Sequence, residues 1–377
     1  MGFRFAAIAH RRFLGKVAWI PFAAILAACG GGPGPTAVQT AAASPASIES
    51  LVAKAKNEKG IVMYGNVPAS LFKPLVDGFK STYPGISFEY TSLTNQQLFS
   101  KYQSEHAQGA RTADILLSSS AALWIQALSN GVVANVVPQG LSKFPSYTTQ
   151  APGLYVMSPD PVLSAYNTKL LTPAQAPNSY ASLAAAVKAD PSKYPLVSYP
   201  IDNEFGYTAI YGLIKILGWD KYWSIQDQLA PQTKTYGEGL TQTAQVASGA
   251  AAYGYIGSGL GQVVIPTQTK GLGAYLFMKD ATPLVPRGIA VTSGAASPAS
   301  AQLFLDFVFS DPGQQLLCAA GYEAGMNDFV PKNNCVAYLS ALQKLVPANT
   351  IYLVPIVKDV LDQQPKITTR WNQSYHR

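Results

Sequence analysis

The chain has 377 residues, 48% of them hydrophobic and only 12% charged, with a formal net charge of +7. Such apolar content over such a length excludes a disordered polar chain and allows more than one packed core. A nucleic-acid role is not indicated: without the first 28 residues, 23 basic groups face 20 acidic ones, and no Lys/Arg cluster remains to follow a phosphate backbone.

In chain order, the first signal is a basic head. Arg4, Arg11, Arg12 and Lys16 precede an apolar run from Val17 to Ala28, with no acidic residue among them. Twelve residues fall short of the about 20 that span a bilayer, so 1–28 reads as a secretory signal peptide. Leu26-Ala27-Ala28-Cys29 resembles the bacterial lipobox, which implies lipidation of Cys29 and attachment to a membrane through that lipid. Residues 29–46 are nearly all Gly, Pro, Ser, Thr and Ala, with too little apolar surface to offset the entropy of ordering, and read as a flexible tether.

The body alternates short apolar strands with amphipathic helices, an α/β pattern. A helix over Ser47–Lys59 is followed by the strand Ile61–Tyr64. Asn66 is expected to cap a helix with Pro68 in its first turn and a stripe of Leu71, Leu75, Val76 and Phe79. The strand Ile86–Tyr90, a helix near Gln96–His106 and the buried strand Asp114–Leu117 follow, and Ser118-Ser119-Ser120 opens another helix. Leu196–Tyr199 is a strand. Asp202-Asn203 begins a helix that stops at Gly218, and a further helix follows Tyr236–Gly239. The strand Ala251–Ile256 runs into Gly257-Ser258-Gly259. The strand Gly288–Thr292, helices from Ser297 and around Asp311-Pro312-Gly313, and a helical stretch from Ala337 onward complete the chain.

An exported chain folds where thiols oxidise, so Cys318 and Cys335 are a candidate disulfide closing a loop of about 17 residues and worth roughly 3 kcal/mol; two unpaired buried thiols are the alternative.

Four stretches carry a family resemblance: Ile61-Val62-Met63-Tyr64-Gly65-Asn66, Ala113–Ser118, Val162–Lys169, and Pro283–Gly288 through to Phe309-Ser310-Asp311-Pro312-Gly313-Gln314-Gln315. In this order they resemble the solute-binding proteins of the ferric-iron-type ABC transporter family, with the two-lobed type 2 periplasmic-binding-protein fold. The resemblance implies one lobe from 47–160 plus 284–345, a second from 161–283, crossing strands between them, and a C-terminal helical segment over 346–377. It implies closure around a ligand by hinge motion. It further implies a monomer, exported to the periplasm or cell surface, whose partners are a small-molecule ligand and an ABC permease and ATPase complex.

In open α/β sheets ligands sit beyond the carboxyl ends of strands, where helix N-termini offer free N–H groups and a positive dipole end. That rule selects Tyr64 and Asn66, then Ser118, Ser119 and Ser120, then Asp202, Asn203 and Glu204, then Tyr236 and Gly237, with Ser258 in a fifth loop. Tyr199 and Tyr207 are candidate cleft aromatics, and Asp202 and Glu204 suit an amine on the ligand. For each loop residue, plain helix capping is the competing account. The hydroxyls and amides suit an organic anion: a phosphonate, phosphate ester or carboxylate. No cofactor or resident metal is expected. Ferric iron is the alternative cargo, although Tyr253-Gly254-Tyr255 lies inside a strand rather than after it, as the family's tyrosine pair does. An exported hydrolase and a ligand sensor for a membrane kinase are the rival classes. No Gly-x-Ser-x-Gly elbow, His-Glu-x-x-His pair or P-loop occurs, and no catalytic residue is expected.

Overall fold

In the computed structural model, residues 47–332 and 334–376 are described. The proposed signal peptide, the tether and Cys29 lie outside the described residues. Among the described residues twelve strands form: β1 (Ile61–Gly65), β2 (Phe88–Ser92), β3 (Ile115–Ser118), β4 (Thr149–Ala151), β5 (Leu154–Pro161), β6 (Leu163–Asn167), β7 (Leu196–Ser198), β8 (Thr233–Thr235), β9 (Tyr253–Gly257), β10 (Gly273–Leu276), β11 (Thr282–Val291) and β12 (Ile351–Leu353).

They make two mixed sheets flanked by helices. The first has the order β2-β1-β3-β11-β5-β4, with β12 also on β11; the second has the order β10-β6-β9-β7-β8. β1, β2 and β3 run parallel, whereas β11 is antiparallel to both β3 and β5. The chain passes from the first sheet to the second at Val162 and returns just before β11. The two passages touch where the Val162 N–H donates to the Pro283 carbonyl at 2.9 Å. β5 and β11 are buried along their whole lengths, so neither alternates polar with apolar residues.

Aromatic rings fill the core of the first sheet. Phe304, on the helix Pro298–Val308, meets Phe79 and Phe88 edge-on at 5.3 and 4.8 Å between centroids. Tyr180, Tyr222, Trp223 and Tyr253 pack behind the second sheet, under the helices Tyr180–Ala189 and Trp219–Leu229. Cys318 and Cys335 are joined in a disulfide, with Cα atoms 4.8 Å apart.

Several elements differ from expectation. Asn66 does not cap a helix: the helix begins at Ala69 with Pro68 in the cap position. The expected strand Gly288–Thr292 is the end of the ten-residue β11, whose first half contains Pro283 and Pro286 and so lacks a strand's usual signature. The stretch beyond 346, expected to be helical, also holds β12, which pairs in parallel with Thr282–Leu284. The helix Gln364–Ser374 then lies against the second sheet's helices, where Arg370 pairs with Asp227 at 2.6 Å and the Tyr375 and Tyr255 hydroxyls meet at 2.9 Å.

Candidate ligand-binding cleft

Loops from both sheets enclose a cleft of about 260 Å³. On the first sheet's side the polar groups are largely spent on one another. Asn66 Nδ2 donates to Ser119 Oγ at 2.7 Å. Ser118 Oγ and the Ser119 N–H both donate to Asn95 Oδ1, at 2.7 and 3.2 Å. The Ser120 N–H donates to Ser118 Oγ at 3.1 Å, and Ser120 Oγ caps the helix Ala121–Ser129 by accepting the Leu123 N–H. The three serines therefore have three roles: Ser119 faces the cleft, Ser118 anchors Asn95, and Ser120 is a helix cap.

The second side is less satisfied. Asn203 caps the helix Glu204–Leu217 and also donates through Nδ2 to the Gly237 carbonyl at 3.1 Å, clasping two loops together. The helix Gly239–Ser248 begins beside the cleft, and Glu238, in its cap position, makes no side-chain cap. The Tyr199 hydroxyl sits against this helix start; a Cβ on Gly239 would lie only 2.8 Å from it. Burial pushes the Tyr199 phenol up, the charges of Asp160 and Glu238 add to the shift, and Arg287 and the Gly239 N–H oppose it. Leu163, Ala165, Val197, Val264 and Ile265 form an apolar floor.

Where the sheets meet, Arg287 of β11 lines the cleft and forms an ion pair with Asp160 of β5. Asp160 also accepts Ser258 Oγ at 2.7 Å and the Gly259 N–H at 2.6 Å. Gly259 permits this approach, because a Cβ there would lie 2.8 Å from Asp160 Oδ1. Arg287 is 4% exposed, its guanidinium lies 5.6 Å from the Tyr322 ring centroid, and its Nε–H has no partner. Beside this pair Glu323 is pushed up to about 8 by burial; the Gln262 amide, donating at 3.2 Å, acts against that, and the Asp160 charge adds to it.

Seven of the residues selected from sequence line the cleft: Asn66, Ser119, Tyr199, Asn203, Glu204, Gly237 and Ser258. Six do not. The Tyr64 hydroxyl instead donates to Glu105 at 2.8 Å. Ser118 and Ser120 are structural, as above. Asp202 is exposed outside the cleft. Tyr207 donates to the Val360 carbonyl, and Tyr236 packs against Val197 and Val246. The Tyr253 and Tyr255 hydroxyls point away from the cleft: Tyr253 donates to the Pro177 carbonyl at 2.6 Å, and Tyr255 accepts from Gln226 at 3.0 Å. Sequence reasoning missed Arg287, Asp160, Asn95 and Glu238. The signal for Arg287 was present, as a single charge in the otherwise apolar run from Leu284 to Val291.

The profile of the bacterial extracellular solute-binding proteins matches residues 74–334. No curated protein sequence matches the chain. Among solved structures, the substrate-binding protein of an ABC transporter from Agrobacterium tumefaciens is 18% identical, with a TM-score of 0.74 over 86% of this chain and 97% of that one. The periplasmic binding protein AfuA of Actinobacillus pleuropneumoniae, with fructose-6-phosphate bound, is 18% identical, with a TM-score of 0.67 over 84% and 98%. Iron-bound HitA of Pseudomonas aeruginosa is 18% identical, with a TM-score of 0.63 over 82% and 99%.

Proposed function

The chain belongs to the bacterial extracellular solute-binding proteins, and from that premise we propose that it captures a small organic anion in the cleft and delivers it to the permease and ATPase of an ABC importer. The observation that carries the choice of anion is Arg287. It is a buried cation at the cleft wall with an N–H to spare, close to the start of the helix Gly239–Ser248. A guanidinium and unsatisfied helix N–H groups are suited to an oxyanion. AfuA, named with a sugar phosphate, shows that a fold of this kind accepts such a group; ferric iron has less support, because the tyrosine pair of β9 faces away from the cleft.

In this reading the halves 47–160 with 284–345 and 161–283 close on the ligand by bending at the adjacent passages through Val162 and Pro283. The lipid on Cys29 holds the monomer at the membrane. The protein acts as a receptor and not an enzyme: Ser119 Oγ accepts from the Asn66 amide, and the carboxylate that accepts from Ser258 is neutralised by Arg287, so neither serine faces a free base.

Thermal melting of the full-length chain in mild detergent tests the proposal, with sugar phosphates, phosphonates, carboxylates and iron(III) as probes. An organic anion is expected to raise the melting temperature with concentration. The rise should be lost in Arg287→Lys, which keeps a charge for Asp160 but not the planar fork. A rise from iron(III) alone would overturn the choice of anion.

A further inference from the structure

We infer that the ligand is a zwitterion: the anionic group that meets Arg287 belongs to a molecule that also carries an amine, held by Glu204 and Glu238. This rests on the reading of the cleft as an anion receptor and adds the second half of the ligand.

The charged residues lining the cleft are Glu204, Glu238 and Arg287. Arg287 is already shared with Asp160, so this set of four carries three carboxylates to one guanidinium. A ligand that is only an anion would enter a site where negative charge exceeds positive by two. Its attraction to Arg287 would be offset by repulsion from the carboxylates opposite. An ammonium on the same molecule removes that conflict.

The two carboxylates are placed to act together. Each directly follows a residue of the Asn203–Gly237 clasp, so the loops that carry them are held side by side. Glu204 sits in a first helical turn, where the dipole alone favours a carboxylate. Glu238, in the cap position of the helix Gly239–Ser248, meets the same dipole; it is exposed, makes no cap, and its carboxylate makes no ion pair or hydrogen bond among the described residues, so it is free to meet a ligand. Glu238 and Arg287 line one cleft of about 260 Å³, so both charge signs lie within one small molecule's reach. The unpartnered Nε–H of Arg287, in a side chain 4% exposed, is the independent sign of a missing partner at the anionic end. The apolar floor between the ends suits a hydrocarbon body.

The test uses two matched triads on the full-length chain in detergent, by isothermal calorimetry at low salt. One is 6-aminohexanoate, hexanoate and hexylamine; the other is phenylalanine, 3-phenylpropanoate and 2-phenylethylamine. In at least one triad the zwitterion is expected to bind ten-fold or more tighter than either single-charge partner. In the double variant Glu204→Gln/Glu238→Gln, checked for an unchanged unliganded melting temperature, the ratio of zwitterion to anion should collapse toward one. If the anion binds as well as the zwitterion, and the double variant does not alter their ratio, this inference fails while the anion receptor stands. If the amine alone binds best, both fail; if no member of either triad binds, this inference fails and the anion receptor is decided by the sugar-phosphate and phosphonate melts.

Discussion

The two walls of the cleft are made of similar residues put to different use. On the first sheet's wall, Asn66, Asn95, Ser118, Ser119 and Ser120 hydrogen-bond one another, and of Asn66 only the buried Oδ1 is left without a partner. On the second wall, Glu204 and Glu238 are unpaired, and the helix Gly239–Ser248 starts without a side-chain cap. A polar group that already has its partners holds shape and has little left for a ligand. A carboxylate without one, hydrated at a cleft, is free to exchange its water for a ligand's donor. The first wall is thus a rigid template and the second the chemically open face, with Arg287 and Asp160 between them.

The largest effect is expected at that junction. Arg287→Ala strands Asp160 as a buried unpaired charge and should cost about 3–5 kcal/mol in urea unfolding. A loss under about 1 kcal/mol would mean that Ser258 and Gly259, which reach Asp160 from the second sheet's side, suffice for it without the pair. Next come the walls themselves. Ser118→Ala in the closed circuit should cost about 1–3 kcal/mol, because Asn95 loses a buried donor. Ser258→Ala should cost less, since Asp160 keeps the Gly259 N–H and Arg287. Chemical denaturation giving the reverse order would break the distinction between template and open face.

A smaller effect is expected from pH. Glu323 is pushed up to about 8, so its neutral form is favoured by folding. The stability it contributes is full at acid pH, below its ordinary range, and is lost as pH rises through about 8. Melting curves from pH 5 to 9 should fall by a few degrees in the parent chain and be flatter in Glu323→Gln. An equal fall in both would place the pH dependence elsewhere. The smallest stability effect belongs to the open wall: Glu238→Gln should leave unfolding within about 0.5 kcal/mol while weakening an amine-bearing ligand. A large loss of stability there would make Glu238 part of the template after all.

Much of the local structure was legible from residue order. The apolar stripe of Leu75, Val76 and Phe79, the caps at Ser120 and Asn203, and the strands β1, β3 and β7 follow from signals within a few residues of each other. So did the family resemblance, and the pairing of Cys318 with Cys335 once export was assumed. Five of the loops that line the cleft were also among those selected, because strand ends and helix starts mark them, whereas the Thr94–Asn95 loop was not. What the sequence did not decide was which residue in each loop faces the ligand. Asn66 turned to Ser119, 53 positions away, instead of capping its own helix. Tyr64 turned to Glu105, and Tyr207 to Val360 at a separation of 153. Arg287 became the central cation only because β11 runs beside β5, bringing Asp160 to it across 127 positions. Capping and periodicity are near-neighbour effects, whereas the orientation of a cleft side chain depends on whichever distant partner the sheet pairing delivers, and that is settled only in the packed tertiary structure.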